Sequence, residues 1–229
     1  MKRIFYWNDA CWCKCFPKNA AGLSYLDVGS HDGIFLLRCA QRGGDACGVD
    51  IESYWVEDAV ENLPNVGGEF CAKDALLLRE MYGLEYKMKV GGFSSCGQVV
   101  PDLGRFNVVS SFNVIEYMKD QRSCVRSLFN HATDMVMIAT DTSEHTEEFN
   151  PDGKKVPLRH KTSAKDLQSW SPWPSICWMY GKQFNLPQVF MCAVNPESKI
   201  IKLPVGDVDY FGQLAKTDSQ RFYESGLKS

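Results

Sequence analysis

The stretch that most constrains the fold is residues 24–38, Ser-Tyr-Leu-Asp-Val-Gly-Ser-His-Asp-Gly-Ile-Phe-Leu-Leu-Arg. Residues 25–28 form a short, mostly apolar run with the length of a buried strand. A glycine-punctuated turn follows from Gly29 to Gly33, and an apolar helical pattern begins at Ile34. Strand, tight turn and helix in that order make a nucleotide-type site. The glycines let backbone approach a ligand closely, and the helix N-terminus faces it. Asp27 sits just before the turn, and Asp32 is placed to cap the outgoing helix. A dinucleotide site requires G-x-G-x-x-G. The spacing here is Asp27-x-Gly29-x-x-x-Gly33.

The rest of the chain repeats the alternation of short strands and helices. Residues 34–42 read as a helix stopped by Gly43-Gly44. Residues 46–51 read as a second buried strand, ending at Asp50. An acid at that point suits a ribose diol, because it accepts hydrogen bonds from both hydroxyls. Residues 52–63 are helical in pattern, and Pro64 ends them. Residues 69–75, Glu-Phe-Cys-Ala-Lys-Asp-Ala, read as a third short strand followed by acid. Residues 83–105 are rich in glycine and read as an insertion or an extended crossover. Residues 106–113 form a fourth strand, Phe-Asn-Val-Val-Ser-Ser-Phe-Asn. Asp120 is placed to cap a helix running to about His131, and residues 135–140 form a fifth strand. Residues 163–166, Ser-Ala-Lys-Asp, make a capping box that opens a short helix to Trp170. Residues 176–180 and 188–194 read as a final strand pair.

At this point Leu-Asp-Val-Gly-Ser-His-Asp-Gly resembles the first motif of class I S-adenosylmethionine-dependent methyltransferases. Residues 106–113 resemble the fourth-strand motif of the same family, with Asn107 in place of the usual acid. The resemblance covers about residues 24–195. It implies an α/β fold with a seven-stranded, mostly parallel, doubly wound sheet and a terminal antiparallel strand pair. It also implies S-adenosylmethionine as cofactor. Asp27, Gly29, Ser30, His31 and Gly33 would hold its methionine part, and Asp50 with Ile51 its ribose side. Asp74 and Ala75 match the residues that contact the adenine amino group, and Asn113 lies where the fourth strand meets the cofactor. His31 stands where the family commonly has a glycine, which implies that this position need not take a positive φ. The usual glycine-rich turn before the fifth strand is replaced by Ala132-Thr-Asp.

With 229 residues the chain suits one α/β domain and a substantial core. We divide it into a lead-in or lid over 1–23, a cofactor-binding domain over 24–200 and a tail over 201–229. A net charge of −3 gives no global basic field for nucleic-acid binding, although an RNA or protein acceptor stays open. The N-terminus lacks the apolar core of a signal peptide, and no run reaches membrane-spanning length. Cysteines such as Cys39, Cys47, Cys71, Cys124, Cys177 and Cys192 lie in core-like segments, as free thiols do in a reducing cytoplasm. The Cys11-Trp-Cys-Lys-Cys15 run has no matching Cys/His pair nearby, so no metal is expected. The oligomeric state is left open.

Methyl transfer from a sulfonium asks for alignment, desolvation and in some cases a base. His145 and His160, in the polar loop over 141–160, are candidate bases, as is Glu116 beyond the fourth strand. No Asn/Asp-Pro-Pro-aromatic run and no Pro-Cys pair occurs, so the motifs of DNA amino and cytosine-carbon methylation are absent. The acceptor expected is a small or sugar-like molecule methylated on oxygen or nitrogen. The alternatives from other classes are a partner subunit that binds cofactor without catalysis and a nicotinamide oxidoreductase, which the spacing of the glycines disfavours. Trp170, Trp173 and Trp178, near Pro172 and Pro174, either stack on a planar acceptor or pack the sheet.

Overall fold

The structure is a computed structural model, and it describes residues 7–31, 33–51, 87–142, 160–183 and 186–202. Its centre is a seven-stranded sheet in the order β3-β2-β1-β6-β7-β9-β8. The strands are β1 (Ser24–Val28), β2 (Asp45–Asp50), β3 (Lys87–Val90), β6 (Phe106–Phe112), β7 (Ala132–Asp141), β8 (Ser175–Gln183) and β9 (Leu186–Val194). β4 (Gly92–Phe93) and β5 (Val99–Val100) form a separate antiparallel pair. The pairs from β3 through β7 are parallel, while β9 runs antiparallel to both β7 and β8. This is the Rossmann-like methyltransferase architecture that the resemblance implies. The order reverses between β1 and β6. Ligands of such sheets bind at the carboxyl ends flanking that point.

Helices cover both faces, as a buried parallel sheet requires. α1 (Trp7–Cys15) and α2 (Ile34–Gln41) lie on one face, where Trp12, Phe16, Tyr25, Phe35, Phe112 and Phe190 build the first apolar layer. α3 (Gln121–His131) and α4 (Ala164–Trp170) lie on the other, over Leu26, Val109, Leu128, Ile138 and Met191. Period-two alternation sorts each strand between these layers. On β7, Met137 and Ala139 enter the first layer, and Val136 and Ile138 enter the second. Capping explains where helices start. Asp120 accepts from Ser123 N–H at the start of α3. Ser163 and Asp166 form the reciprocal capping box of α4. Trp173 meets Phe129 edge-on at 5.0 Å, and Trp178 is buried against Phe190. These two tryptophans therefore pack the sheet.

Several sequence expectations are corrected here. The strand beside β2 is Lys87–Val90, inside the stretch read as an insertion or an extended crossover, while residues 69–75, read as a third strand, lie outside the described residues. Lys-Met-Lys-Val carries no continuous apolar run, because an edge strand has a neighbour on one side alone. The glycine-rich stretch is therefore more than an insertion, since it holds β3, β4 and β5. The cap position of α2 falls on Gly33 and not Asp32. Residues 7–15 are helical, so Cys11 and Cys15 lie one turn apart. β7 begins at Ala132, directly after α3, which is why no glycine turn precedes it. Asp32, Glu52, the helix over 52–63, Cys71, Asp74, Ala75, His145 and the tail from residue 203 lie outside the described residues.

Asn107 explains its own departure from the family pattern. Its Oδ1 accepts from both Ser24 N–H and Ser24 Oγ, and its Nδ2 donates to Asp134 Oδ2 at 2.9 Å. A carboxylate at 107 would accept where a donor is needed, beside a second carboxylate. Burial pushes the Asp134 carboxyl up, but hydrogen bonds from Asn107, Ser198 and Thr133 outweigh it and hold the pKa below its ordinary value. A depressed folded-state pKa contributes stability above the unfolded carboxylate range and loses it as pH falls through the folded value. N107D is therefore expected to destabilise the protein by about 1.5–3 kcal/mol at neutral pH. The gap to wild type should narrow toward low pH, where one carboxyl regains a proton to donate. Urea unfolding of both proteins across pH checks this.

Candidate cofactor and active site

The turn after β1 is held by three left-handed residues, Gly29 (φ 81), His31 (φ 48) and Gly33 (φ 74). His31 thus adopts the positive φ that the sequence reading excluded; histidine is among the side chains that tolerate it. Each residue has a reason. Gly29 N–H and Ser30 N–H both donate to Val49 O, at 2.7 and 3.0 Å. His31 N–H donates to Asp50 Oδ2 at 2.8 Å, so the left-handed turn aims an amide at the acid closing β2. Gly33 N–H donates to Ser30 O at 2.8 Å and opens α2. The loop also needs Gly48, because a Cβ there would meet Ser30 Oγ at 2.5 Å and Leu36 Cδ1 at 2.6 Å.

Asp27 and Asp50 flank this loop at the carboxyl ends of β1 and β2, and both are buried. Ser110, which faces Asp27 from β6, donates its hydroxyl to Asp27 Oδ1. Asn113 follows β6 with φ 56, and its N–H donates to Ala139 O at 2.8 Å. Its side-chain Oδ1 is buried and accepts no hydrogen bond among the described residues. An orphaned buried acceptor is unusual and marks a place for a donor from outside. Val114, next in the chain, touches the loop, since a Cβ on Gly29 would stand 2.2 Å from Val114 Cγ2. Ile51 is 71% exposed at the end of β2 and leans over Gly92, whose Cβ would meet it at 2.7 Å. The segment closing the strand beside β2 is thus Val90 to Phe93, and it contains no acid.

Two of the candidate bases, Glu116 and His160, fall elsewhere. Glu116 is 1% exposed, and its Oε2 accepts from Thr140 Oγ1 at 3.1 Å. Alternation along β7 puts Thr140 on the second face, across the sheet from Asp27. His160 is tied to Glu116 through the backbone, its N–H donating to Glu116 O at 2.6 Å. Gln121 Nε2 donates to His160 O at 2.8 Å. The structure therefore brings Glu116 and His160 together, at the end of β6 and the start of α3. Sequence reasoning missed Tyr25, Gly48, Ser110 and Gln121. Tyr25 shares a face with Asp27 at a spacing of two, which is a readable signal. Ser110 is linked to Asp27 by sheet register alone, which no local pattern carries.

The comparisons with known proteins agree with this geometry. The family profile described as Methyltransferase domain matches residues 12–184. The chain belongs to that family, the class I S-adenosylmethionine-dependent methyltransferases. No curated protein matches its sequence. Among solved structures it resembles an S-adenosylmethionine-dependent methyltransferase from Mesorhizobium loti, at 11% identity and a TM-score of 0.53, covering 82% of this chain and 97% of that one. A second is the magnesium protoporphyrin IX methyltransferase of Synechocystis with bound SAM, at 14% identity and 0.51, covering 76% and 71%. A third is an S-adenosylmethionine-dependent methyltransferase from Clostridium acetobutylicum, at 10% identity and 0.54, covering 82% and 91%. At these identities the likeness is one of fold. Among the described residues no His/Cys/Asp/Glu group fit to hold a metal occurs, and no helix is long and apolar enough to cross a membrane.

Gly29→Ala tests the loop. Left-handed backbone costs a non-glycine residue about 1–2 kcal/mol, and the new methyl also has to displace Val114. We expect a stability loss of at least about 1–2 kcal/mol by thermal unfolding. His31→Gly, which removes a side chain from a left-handed position, should be neutral or slightly stabilising.

Proposed function

We propose that this chain binds S-adenosylmethionine at the β1–β2–β6 end of the sheet and transfers its methyl group to a small acceptor on oxygen or nitrogen. The observation that carries the reading is the left-handed turn flanked by Asp27 and Asp50, at the point where strand order reverses. The residues fit the cofactor. Asp27 suits an ammonium group, Asp50 is an acid of the kind that accepts from ribose hydroxyls and is oriented by the His31 N–H, and Asn113 Oδ1 offers a buried acceptor. The adenine would rest on Ile51, an apolar platform beside Val90 to Phe93. When bound, the cofactor supplies a methyl group already activated on a sulfonium. The chain then has to align, desolvate and, for a protonated acceptor, take a proton.

Among the candidate bases we favour His160. His160 is half-buried, and its backbone is strapped to Glu116 and Gln121, which gives a fixed position. Glu116 is buried and bound by Thr140, so it serves better as the anchor of that strap. A small acceptor is supported by the net charge of −3, which offers no field to a nucleic-acid backbone. The Synechocystis neighbour, by its name, methylates magnesium protoporphyrin IX.

S-adenosylhomocysteine should raise the melting temperature by mass action, by about 2.7 kcal/mol of stability at a hundredfold excess over Kd. Asp50→Ala should weaken its binding by roughly 1.5–3 kcal/mol, as for a hydrogen bond to a charged group. No thermal shift at millimolar ligand with folded protein would overturn the reading. His160→Ala should slow methylation about 10²–10⁴-fold with cofactor affinity unchanged. Cofactor binding without turnover on any acceptor in an untargeted screen would instead mark a non-catalytic partner subunit.

A further inference from the structure

Helix α1 reaches the cofactor end of the sheet through a row of polar groups inside the first apolar layer. Trp12 Nε1–H donates to Tyr25 OH at 3.3 Å. Tyr25 OH lies 2.6 Å from Ser110 Oγ, and Ser110 Oγ–H donates to Asp27 Oδ1. Trp12, Tyr25 and Ser110 are fully buried and Asp27 is 1% exposed. The two ends of the row fix the direction of its middle. An indole N–H can only donate, and an ionised carboxylate can only accept. Ser110 spends its single proton on Asp27, so it accepts from Tyr25. Tyr25 spends its proton on Ser110, so its oxygen accepts from Trp12. Every proton in the row points toward Asp27. Bonds aligned in this way polarise one another in a low-dielectric interior.

Packing alone does not call for this row. Phe at 25 and Ala at 110 would fill the layer without burying hydroxyls that must then be satisfied. The row is also held firmly at its far end. Trp12 stacks on Phe16 at 4.2 Å and meets Tyr25 edge-on at 6.1 Å. The Arg42 guanidinium lies 4.8 Å over the Trp12 ring and is itself tied to Phe16 O and Pro17 O. Asp27 and Ser110 are register partners across β1 and β6, so the carboxylate cannot rotate away without losing a bond that the sheet holds in place.

We propose that Trp12, Tyr25 and Ser110 are positioning residues that hold the Asp27 carboxylate in one rotamer for the ammonium group of the methionine part of the cofactor. The proposal rests on the cofactor reading above. It makes the N-terminal helix part of the cofactor site, through side chains that never touch the ligand.

The test is calorimetric titration with S-adenosylhomocysteine and with its analogue lacking the α-amino group. Asp27→Asn should weaken S-adenosylhomocysteine binding by about 10- to 100-fold. Tyr25→Phe and Ser110→Ala should each weaken it by about 3- to 10-fold. Ser110→Thr, which keeps a hydroxyl, should restore wild-type affinity. The signature is coupling. In the Asp27→Asn background Tyr25→Phe should change affinity by no more than about twofold. For the analogue without the amino group, Tyr25→Phe should likewise be silent. A structural defect would instead weaken both ligands alike and act equally in both backgrounds, and that result overturns the proposal. So does unchanged binding in Tyr25→Phe and Ser110→Ala. If Tyr25→Phe fails to fold, the Ser110→Ala and Ser110→Thr pair carries the same comparison. Wild-type protein that binds no S-adenosylhomocysteine overturns the cofactor reading and this inference with it. Wild-type binding with uncoupled losses overturns this inference alone.

Discussion

The pairing of β1 with β6 is the contact on which the rest depends. These strands meet where the sheet changes direction, so their register decides what stands at the ligand-binding edge. Polar bonds pin that register at both ends. At the entry, Ser24 and Asn107 exchange bonds through backbone and side chain. Near the exit, Ser110 reaches Asp27, and Ser111 Oγ donates to Val28 O at 2.9 Å. Between them lie apolar residues that any neighbouring strand would accept. A slip of one residue would exchange the two faces, sending Tyr25 and Asp27 into the second layer and leaving the loop without its acid. Apolar burial makes the sheet stable, and these few polar pairs make it unique.

Much of this was legible in the chain because it is local. Residues 25–28 and 46–50 are buried runs that end in or hold an acid before a turn, and they emerge as β1 and β2. The caps at Asp120 and Ser163 are written in side chains that reach backbone amides three residues on, and both form. What escaped is what depends on neighbours distant in sequence. β3 is an edge strand with alternating lysines, so it has no apolar run to announce it. Cys11, Trp12 and Cys15 of α1 and Phe16 just after it are buried in a layer built with residues of β1, β9 and α2. Thiols at every second residue, as at Cys11, Cys13 and Cys15, face alike only on an extended chain. On a helix Cys11 and Cys15 share a face and meet Cys192 instead. Burial pushes the Cys11 thiol up to about 12, which suits packing and not reactivity.

The candidate site divides along the same line. Asp27, Gly29, Gly33 and Asp50 could be named because strand ends and glycines mark them. His31 was misjudged in conformation, since whether a turn needs φ > 0 depends on what its amide must reach. Here it must reach Asp50 across from β2. The loop therefore holds a left-handed non-glycine residue beside the acid, and Asn113, just after β6, is a second. Such residues persist where surrounding structure over-determines them, and they cluster at ligand sites.

That strain bears on why an acid rather than an amide closes β2. A carboxylate offers about four lone-pair directions. One is taken by His31 N–H, which keeps the turn in its left-handed form. The same bond fixes where the carboxylate oxygens stand at the end of β2. The bond that distorts the loop is thus the bond that orients the acid, and neither could be removed alone. An asparagine at 50 would keep one acceptor for the amide but put a donor pair where the aspartate has only acceptors. A glutamate would move the oxygens beyond the reach of a loop that β1, β2 and Gly48 hold in place. Side-chain length and charge at this position follow from the turn, and the turn follows from the pairing of β1 with its neighbours on either side.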